Sequence, residues 1–228
     1  MKKVKITIDN KEIEAIEGAN LLHTSRMHGF DIPGLCFHHR LTPTGACRLC
    51  VVKVEGMPGV VMSCTLTVKE GMKITAFDEE LETARCHTLS YLLAEHNEEY
   101  DGTYYDEMMP LIERYGLASK GNRPIPAFWH NIPPVIDDTS PVLTYDSSKC
   151  IKCFRCIKAC EEIQGKGVLS FAERGITKYI VAGYGKWGDS ECDGCGECIQ
   201  LCPTGAIVEK PNRERIQVQQ IEKKVVTT

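Results

Sequence analysis

Several things are missing from this sequence, and each absence closes a class of function. No stretch of its 228 residues approaches the ~20 consecutive apolar residues of a membrane-spanning helix, so no membrane span is expected. No apolar segment follows the lysines of MKKVKITIDN, so no secretory signal is read and a cytoplasmic chain is expected. Basic charge is not in excess. Lys plus Arg is 27 and Asp plus Glu is 31, a formal net charge of −4, which excludes a broadly basic nucleic-acid binder. Catalytic signatures are missing as well: there is no G-x-S-x-G, no Walker loop and no G-x-G-x-x-G opening a helix. The glycine-rich AGYGKWGDSECDGCGEC leads into a cysteine loop, where its glycines let the backbone approach closely. No flavin or nicotinamide site is evident, and no catalytic residue is expected on this chain.

Cysteine is abundant, with 13 in the chain. In a reducing compartment, tight C-x-x-C groups indicate metal or redox chemistry rather than disulfide staples. Cys36, Cys47, Cys50 and Cys64 form a C-x10-C-x2-C-x13-C set. Their surroundings, LCFHHRLTPTGACRLC, are rich in Gly, Pro and Thr, which frees backbone N–H groups to face a buried anion. A four-cysteine zinc site is the alternative. Zinc ribbons use two similar C-x-x-C knuckles, and here there is one pair flanked by lone cysteines, which favours a [2Fe–2S] cluster. His38 and His39 lie close enough to raise a Rieske-type ligand set, but four cysteines already complete the site.

Two further runs repeat one another: Cys150, Cys153, Cys156, Cys160, and Cys192, Cys195, Cys198, Cys202 followed by Pro203. Both fit C-x2-C-x2-C-x3-C, in which the fourth cysteine ligates the other cluster. The expected sets are therefore crossed. Cys150, Cys153 and Cys156 join Cys202 on one [4Fe–4S] cluster, and Cys160 joins Cys192, Cys195 and Cys198 on the other. The expected cofactors are one [2Fe–2S] and two [4Fe–4S] clusters, with all twelve cysteines as metal ligands. Cys86 remains, and is read as a small buried hydrophobe on a helix.

The alternation of KVKITI and EIEAIE around Asp9-Asn10 predicts a hairpin. ANLLHTSRMHG predicts a short helix, RLCVVKVEG, GVVMSC and MKITAF predict strands, and DEELETARCHTLSYLLAEH predicts a longer helix with acidic residues in its first turn. The expected fold class is α+β. Residues 1–77 form a β-grasp [2Fe–2S] domain and residues 78–139 a helical, proline-rich connector. Residues 140–228 form a bacterial-ferredoxin-like domain holding the two [4Fe–4S] clusters, plus a C-terminal tail. RPIPAFWHNIPPVIDD, with Phe128 and Trp129, reads as a connector packed on a surface. ITKYIVAGYGKW reads as a hairpin-like insertion between the two runs.

On these motifs the chain resembles the N-terminal part of the complex I large iron–sulfur subunit. It equally resembles the N-terminal regions of iron-only hydrogenases and of NAD-linked formate dehydrogenase alpha subunits, and the small iron–sulfur subunit of NAD-reducing hydrogenases. CIKCFRCIKACEEIQGKGVLSFAERG is especially similar to the formate dehydrogenases. The resemblance implies an electron-transfer subunit that does no bond chemistry itself. Its implied partners are a molybdopterin formate dehydrogenase or hydrogenase catalytic subunit on one side, and a flavin-bearing NAD(P)H subunit or another iron–sulfur subunit on the other. A bifurcating hydrogenase complex and a free-standing carrier are the alternatives. Family members often hold a further cluster through H-x3-C-x2-C-x5-C after the long helix. Here Tyr100 follows His96 where the first cysteine would stand, so that cluster is expected to be absent. Ile216, Val218, Ile221, Val225 and Val226 resemble the lead-in to a catalytic domain, and the tail is expected to pack on a separate chain.

Overall fold

The computed structural model describes residues 2–96, 106–125 and 133–210. The connector aromatics Phe128 and Trp129, Tyr100, and the tail from residue 211 lie outside these. Among the described residues no helix is long and apolar enough to cross a membrane.

Residues 2–77 build a five-stranded mixed sheet. β1 (Lys3–Ile8) and β2 (Lys11–Ile16) form the hairpin, turning at Asp9 and Asn10, both with positive φ, as a tight two-residue turn requires. β3 (Val51–Val54), β4 (Val61–Met62) and β5 (Lys73–Thr75) complete the order β2-β1-β5-β3-β4, with β1 and β5 parallel. Alternation places Val4, Ile6, Ile8, Ile13 and Ala15 on one buried face. Against that face packs α1 (Leu21–Met27), through the fully buried Leu21 and Leu22. Asn20 caps it by accepting from the His23 N–H at 3.0 Å.

α2 (Glu79–Ala94) starts at Asp78, whose side chain accepts from the Leu81 N–H at 2.8 Å, with Glu79, Glu80 and Glu82 in the first turn. The wholly buried Arg85 ties it to the sheet by donating to the Val51 and Ala76 carbonyls. A short α3 (Met109–Arg114), with Pro110 in its first turn, packs Met108 and Ile112 against Leu89 and Leu93 of α2.

The third part is built on a swapped pairing. β6 (Ile136–Asp137) and β7 (Leu143–Asp146) precede the first cysteine run, and β10 (Ile207–Glu209) follows the second. β7 pairs with both, antiparallel. β8 (Leu169–Ala172) follows the first run and β9 (Tyr179–Ala182) precedes the second, and these pair with each other. ITKYIVAGYGKW is therefore not a separate hairpin. Its strand is the return arm of β8, and the turn passes through Glu173, at φ 59°. Tyr145 of β7 joins the two small sheets, its hydroxyl accepting from the Ile180 N–H at 3.0 Å beside the buried Trp187.

Candidate iron–sulfur sites

The first cysteine set occupies the loop between α1 and β3 and the turn after β4. Cys36, Cys47, Cys50 and Cys64 are all buried. The thiols of Cys47 and Cys64 hydrogen-bond to the Cys36 sulfur and hold it at about 2, well below the usual thiol range. Cys64, as their partner, is pushed far up by Cys36 and Cys50. The loop reaches this shape through Gly45 (φ 66°) and Arg48 (φ 55°). A Cβ on Gly45 would stand 3.2 Å from the Met62 sulfur. The Leu35 N–H points at the Cys47 sulfur at 3.4 Å.

The second and third sets repeat one local conformation. The residue before the second cysteine is left-handed in both runs, Lys152 (φ 56°) and Gly194 (φ 71°). So is the residue after it, Phe154 (φ 70°) and Gly196 (φ 82°). α4 (Arg155–Lys158) and α5 (Glu197–Gln200) follow. In the first run a π-helical turn, Ala159–Ile163, then carries Cys160 away from its neighbours. The result is crossed. Cys150, Cys153, Cys156 and Cys202 line one cavity with Tyr145, Ile180 and Ile207. Cys160, Cys192, Cys195 and Cys198 line another with Lys166, Val168 and Leu169.

Backbone N–H groups meet these sulfurs too: Lys152 on Cys150 at 3.4 Å and Val168 on Cys160 at 3.3 Å. Burial pushes the Cys150, Cys153 and Cys156 thiols up, and Cys198 up to about 12. Such sulfurs resist carrying charge in an apolar pocket unless a cationic core compensates them. Four cysteine sulfurs, N–H donors and dry walls form a donor set that fits an iron–sulfur cluster. Among the described residues, no three His, Cys, Asp or Glu side chains close on a single-ion position.

Cys86 is half-buried on α2, against the core formed by Leu35, Leu89 and Leu93, and stands outside all three sets. His96 is buried just past the end of α2. His39 stacks on His23 and lies tilted against His38, at the surface of the first set's loop.

Spacing gives no sign of how the sites are joined. Cys36 and Cys47 share one apolar core with Cys153, together with Leu35, Leu49, Met108 and Leu117. The segment after Cys36 docks on the third part. Phe37 O accepts from Arg155, Arg40 pairs with Glu197, Leu41 packs on Ala159 and Leu201, and the Thr42 N–H donates to Glu162 at 2.8 Å. A basic residue between two cluster cysteines is a visible oddity of CIKCFRC, but its partners, 48 and 118 residues away, are not.

Residues 1–78 match the family described as 2Fe-2S iron-sulfur cluster binding domain. Residues 140–208 match the ferredoxin-like domain of NADH-quinone oxidoreductase subunit 3. The chain joins a 2Fe-2S domain to a ferredoxin-like domain of that type. It is homologous to subunits of NADH- and NADPH-linked oxidoreductases. One relative is the NADP-reducing hydrogenase subunit HndD of Solidesulfovibrio fructosivorans, 32% identical over 218 residues, covering 92% of this chain and 36% of that protein. Another is the NADH-ubiquinone oxidoreductase 75 kDa subunit of Reclinomonas americana, 31% identical over 215 residues, covering 91% of this chain and 30% of that one. The chain thus spans about a third of these relatives' length. Among solved structures, a chain of an NAD+-reducing [NiFe]-hydrogenase in the H2-reduced state superposes with a TM-score of 0.80 at 28% identity. That match covers 91% of this chain and 87% of the hydrogenase chain.

Proposed function

We propose that this 2Fe-2S and ferredoxin-like protein is a non-catalytic electron-transfer subunit of an NAD(P)-linked oxidoreductase complex. Its organisation is a [2Fe–2S] domain over residues 1–77, a connector over 78–139 and a two-[4Fe–4S] domain from 140 onward. Cys36, Cys47, Cys50 and Cys64 hold the first cluster. Cys150, Cys153, Cys156 and Cys202 hold the second, and Cys160, Cys192, Cys195 and Cys198 the third. The observation that carries this reading is the grouping of twelve cysteines, all but Cys195 buried or half-buried, into three sets, two of them completed from opposite runs around separate cavities.

When bound, the clusters supply one-electron oxidation and reduction. The chain supplies the rest. Its thiolates ligate, the N–H groups of Leu35, Lys152 and Val168 offset negative charge on sulfur, and the core shared by Cys36, Cys47 and Cys153 excludes water between two of the sites. Cys195, exposed at the surface, is the natural point of exchange with another protein.

The partner on the catalytic side is a hydrogenase or a molybdopterin formate dehydrogenase. The likeness running along 87% of a hydrogenase chain favours the first. On the other side stands a flavin-bearing NAD(P)H subunit or a further iron–sulfur subunit. Anaerobically purified protein should hold about ten irons and about ten acid-labile sulfides, from 2 + 4 + 4. Zinc with negligible sulfide would overturn the reading. Co-purification from the native source should bring down the catalytic and flavin chains, and their masses would decide between hydrogenase and formate dehydrogenase.

A further inference from the structure

Arg155 lies between Cys153 and Cys156 in sequence, yet its side chain reaches across to the first cysteine set. The side chain is 2% exposed. Nη1 donates to Glu107 Oε1 at 2.5 Å, and Nη2 donates to Glu107 Oε2 at 2.9 Å and to the Phe37 carbonyl at 2.7 Å. Nε is buried with no hydrogen-bond partner in the protein. Phe37 directly follows Cys36. The Glu107 N–H in turn donates to the Pro203 carbonyl at 2.7 Å, one residue past Cys202. The guanidinium thus stands between the loop of Cys153 and Cys156 and the residue that follows Cys36.

An ion pair with its Arg buried and its Glu half-buried is a poor device for stability alone. Desolvating two charges costs as much as their attraction returns, and apolar residues of equal volume commonly do as well. Ligation does not need it either, since each cysteine set is complete without it. Its distinguishing property is place. It puts one permanent positive charge, in a water-poor core, beside two sulfur sets at once. Adding an electron to either site adds a negative charge within the reach of that guanidinium, where screening is weak. The third set is different. There the position equivalent to Arg155 is Glu197, which pairs with the partly exposed Arg40.

We infer that the Arg155–Glu107 pair is a charge-tuning and positioning device shared by two redox sites. Arg155 favours the reduced state at the sites of Cys36 and Cys153, and Glu107 sets how much of that charge is felt. The inference rests on the cluster assignment proposed above.

The test is an EPR-monitored redox titration of the loaded, full-length protein and of Arg155→Met, Arg155→Lys and Glu107→Gln. In Arg155→Met the two affected centres should become harder to reduce. At fixed ambient potential their reduced-to-oxidised ratio should fall about tenfold, which is 59 mV for a one-electron step. Glu107→Gln should move the same two centres the opposite way. Arg155→Lys should keep most of the wild-type value, and the centre of Cys192, Cys195 and Cys198 should stay put throughout. A purely structural pair would give losses of the same sign from both partners, or lowered cluster content with unmoved potentials. Either result overturns the inference, as does an equal shift at the third centre. If Arg155→Met fails to load its clusters, Glu107→Gln decides alone, and no upward shift there overturns it. A wild-type protein without iron or sulfide would instead overturn the functional reading and this inference together.

Discussion

Arg155 and Glu197 occupy the same position in the two cysteine runs, two residues after the second cysteine, and both reach the segment that follows Cys36. Arg155 donates to the Phe37 carbonyl at 2.7 Å, and Glu197 accepts from Arg40 at 3.2 Å. Leu41, next in the same segment, packs against Ala159 and Leu201. The internal repeat thus presents two helix starts of opposite charge to one loop of the neighbouring domain.

The three contacts differ in weight. Leu41 is 7% exposed, and Leu41→Ala should cost about 2–3 kcal/mol through lost burial and the cavity left behind. Arg40 is 43% exposed, so Arg40→Ala should cost under about 1 kcal/mol, and less in high salt. Denaturant titrations of both variants should rank them in this order.

Gly194 and Gly196 both sit at positive φ, but only one is crowded. A Cβ on Gly194 would lie 2.7 Å from Val142 Cγ2, and a Cβ on Gly196 would meet nothing within 4 Å. Gly196→Ala should cost about 1 kcal/mol of backbone strain. Gly194→Ala should add about 1–3 kcal/mol of overpacking and lower the iron content of the site at Cys192, Cys195 and Cys198. Thermal unfolding and iron analysis of the two variants would check this. Equal effects would show that Val142 yields without cost.

Crossed ligation makes a reciprocal prediction. Cys160→Ser should disturb the centre of Cys192, Cys195 and Cys198, and Cys202→Ser the centre of Cys150, Cys153 and Cys156. EPR of reduced protein should show one altered centre in each variant. Damage confined to the run that carries the substitution would refute the crossing.

Cys86→Ser should leave every cluster signal and the iron content unchanged. The half-buried thiol packs against the core of Leu35, Leu89 and Leu93 and lines neither of the two [4Fe–4S] cavities.

Much of this architecture can be read from the chain. Period-two alternation marks β1 and β2, and Asp9-Asn10 names their turn, because few other residues tolerate positive φ twice in succession. Asp78 and the three glutamates after it mark the start of α2. Cysteine spacing separates three groups, since x2 gaps bring sulfurs to one loop while x3 carries the fourth a helical turn away. What spacing cannot convey is non-local. β10 looks like the natural end of its own run, and only the assembled fold shows it pairing with β7, ahead of the other run. The docking of Phe37, Arg40 and Leu41 depends on contacts more than 100 residues apart in the chain. Arg155 reads as one more surface cation until its burial is seen.

The swapped strand pairing also governs how this region can be made. β7 leaves the ribosome early, but one of its two partners, β10, lies 61 residues downstream of its last residue, counting from Asp146 to Ile207. At about 5–20 residues per second, that interval is roughly 3–12 s. Until β10 emerges β7 has only β6 beside it in its sheet, and the four thiols of the first run emerge during that interval. Neither half can mature ahead of the other, so closure of this region is a single late event. A nascent chain interrupted within it would be left with unpaired strand edges and exposed sulfur, a substrate for holding chaperones and proteases rather than a half-finished domain.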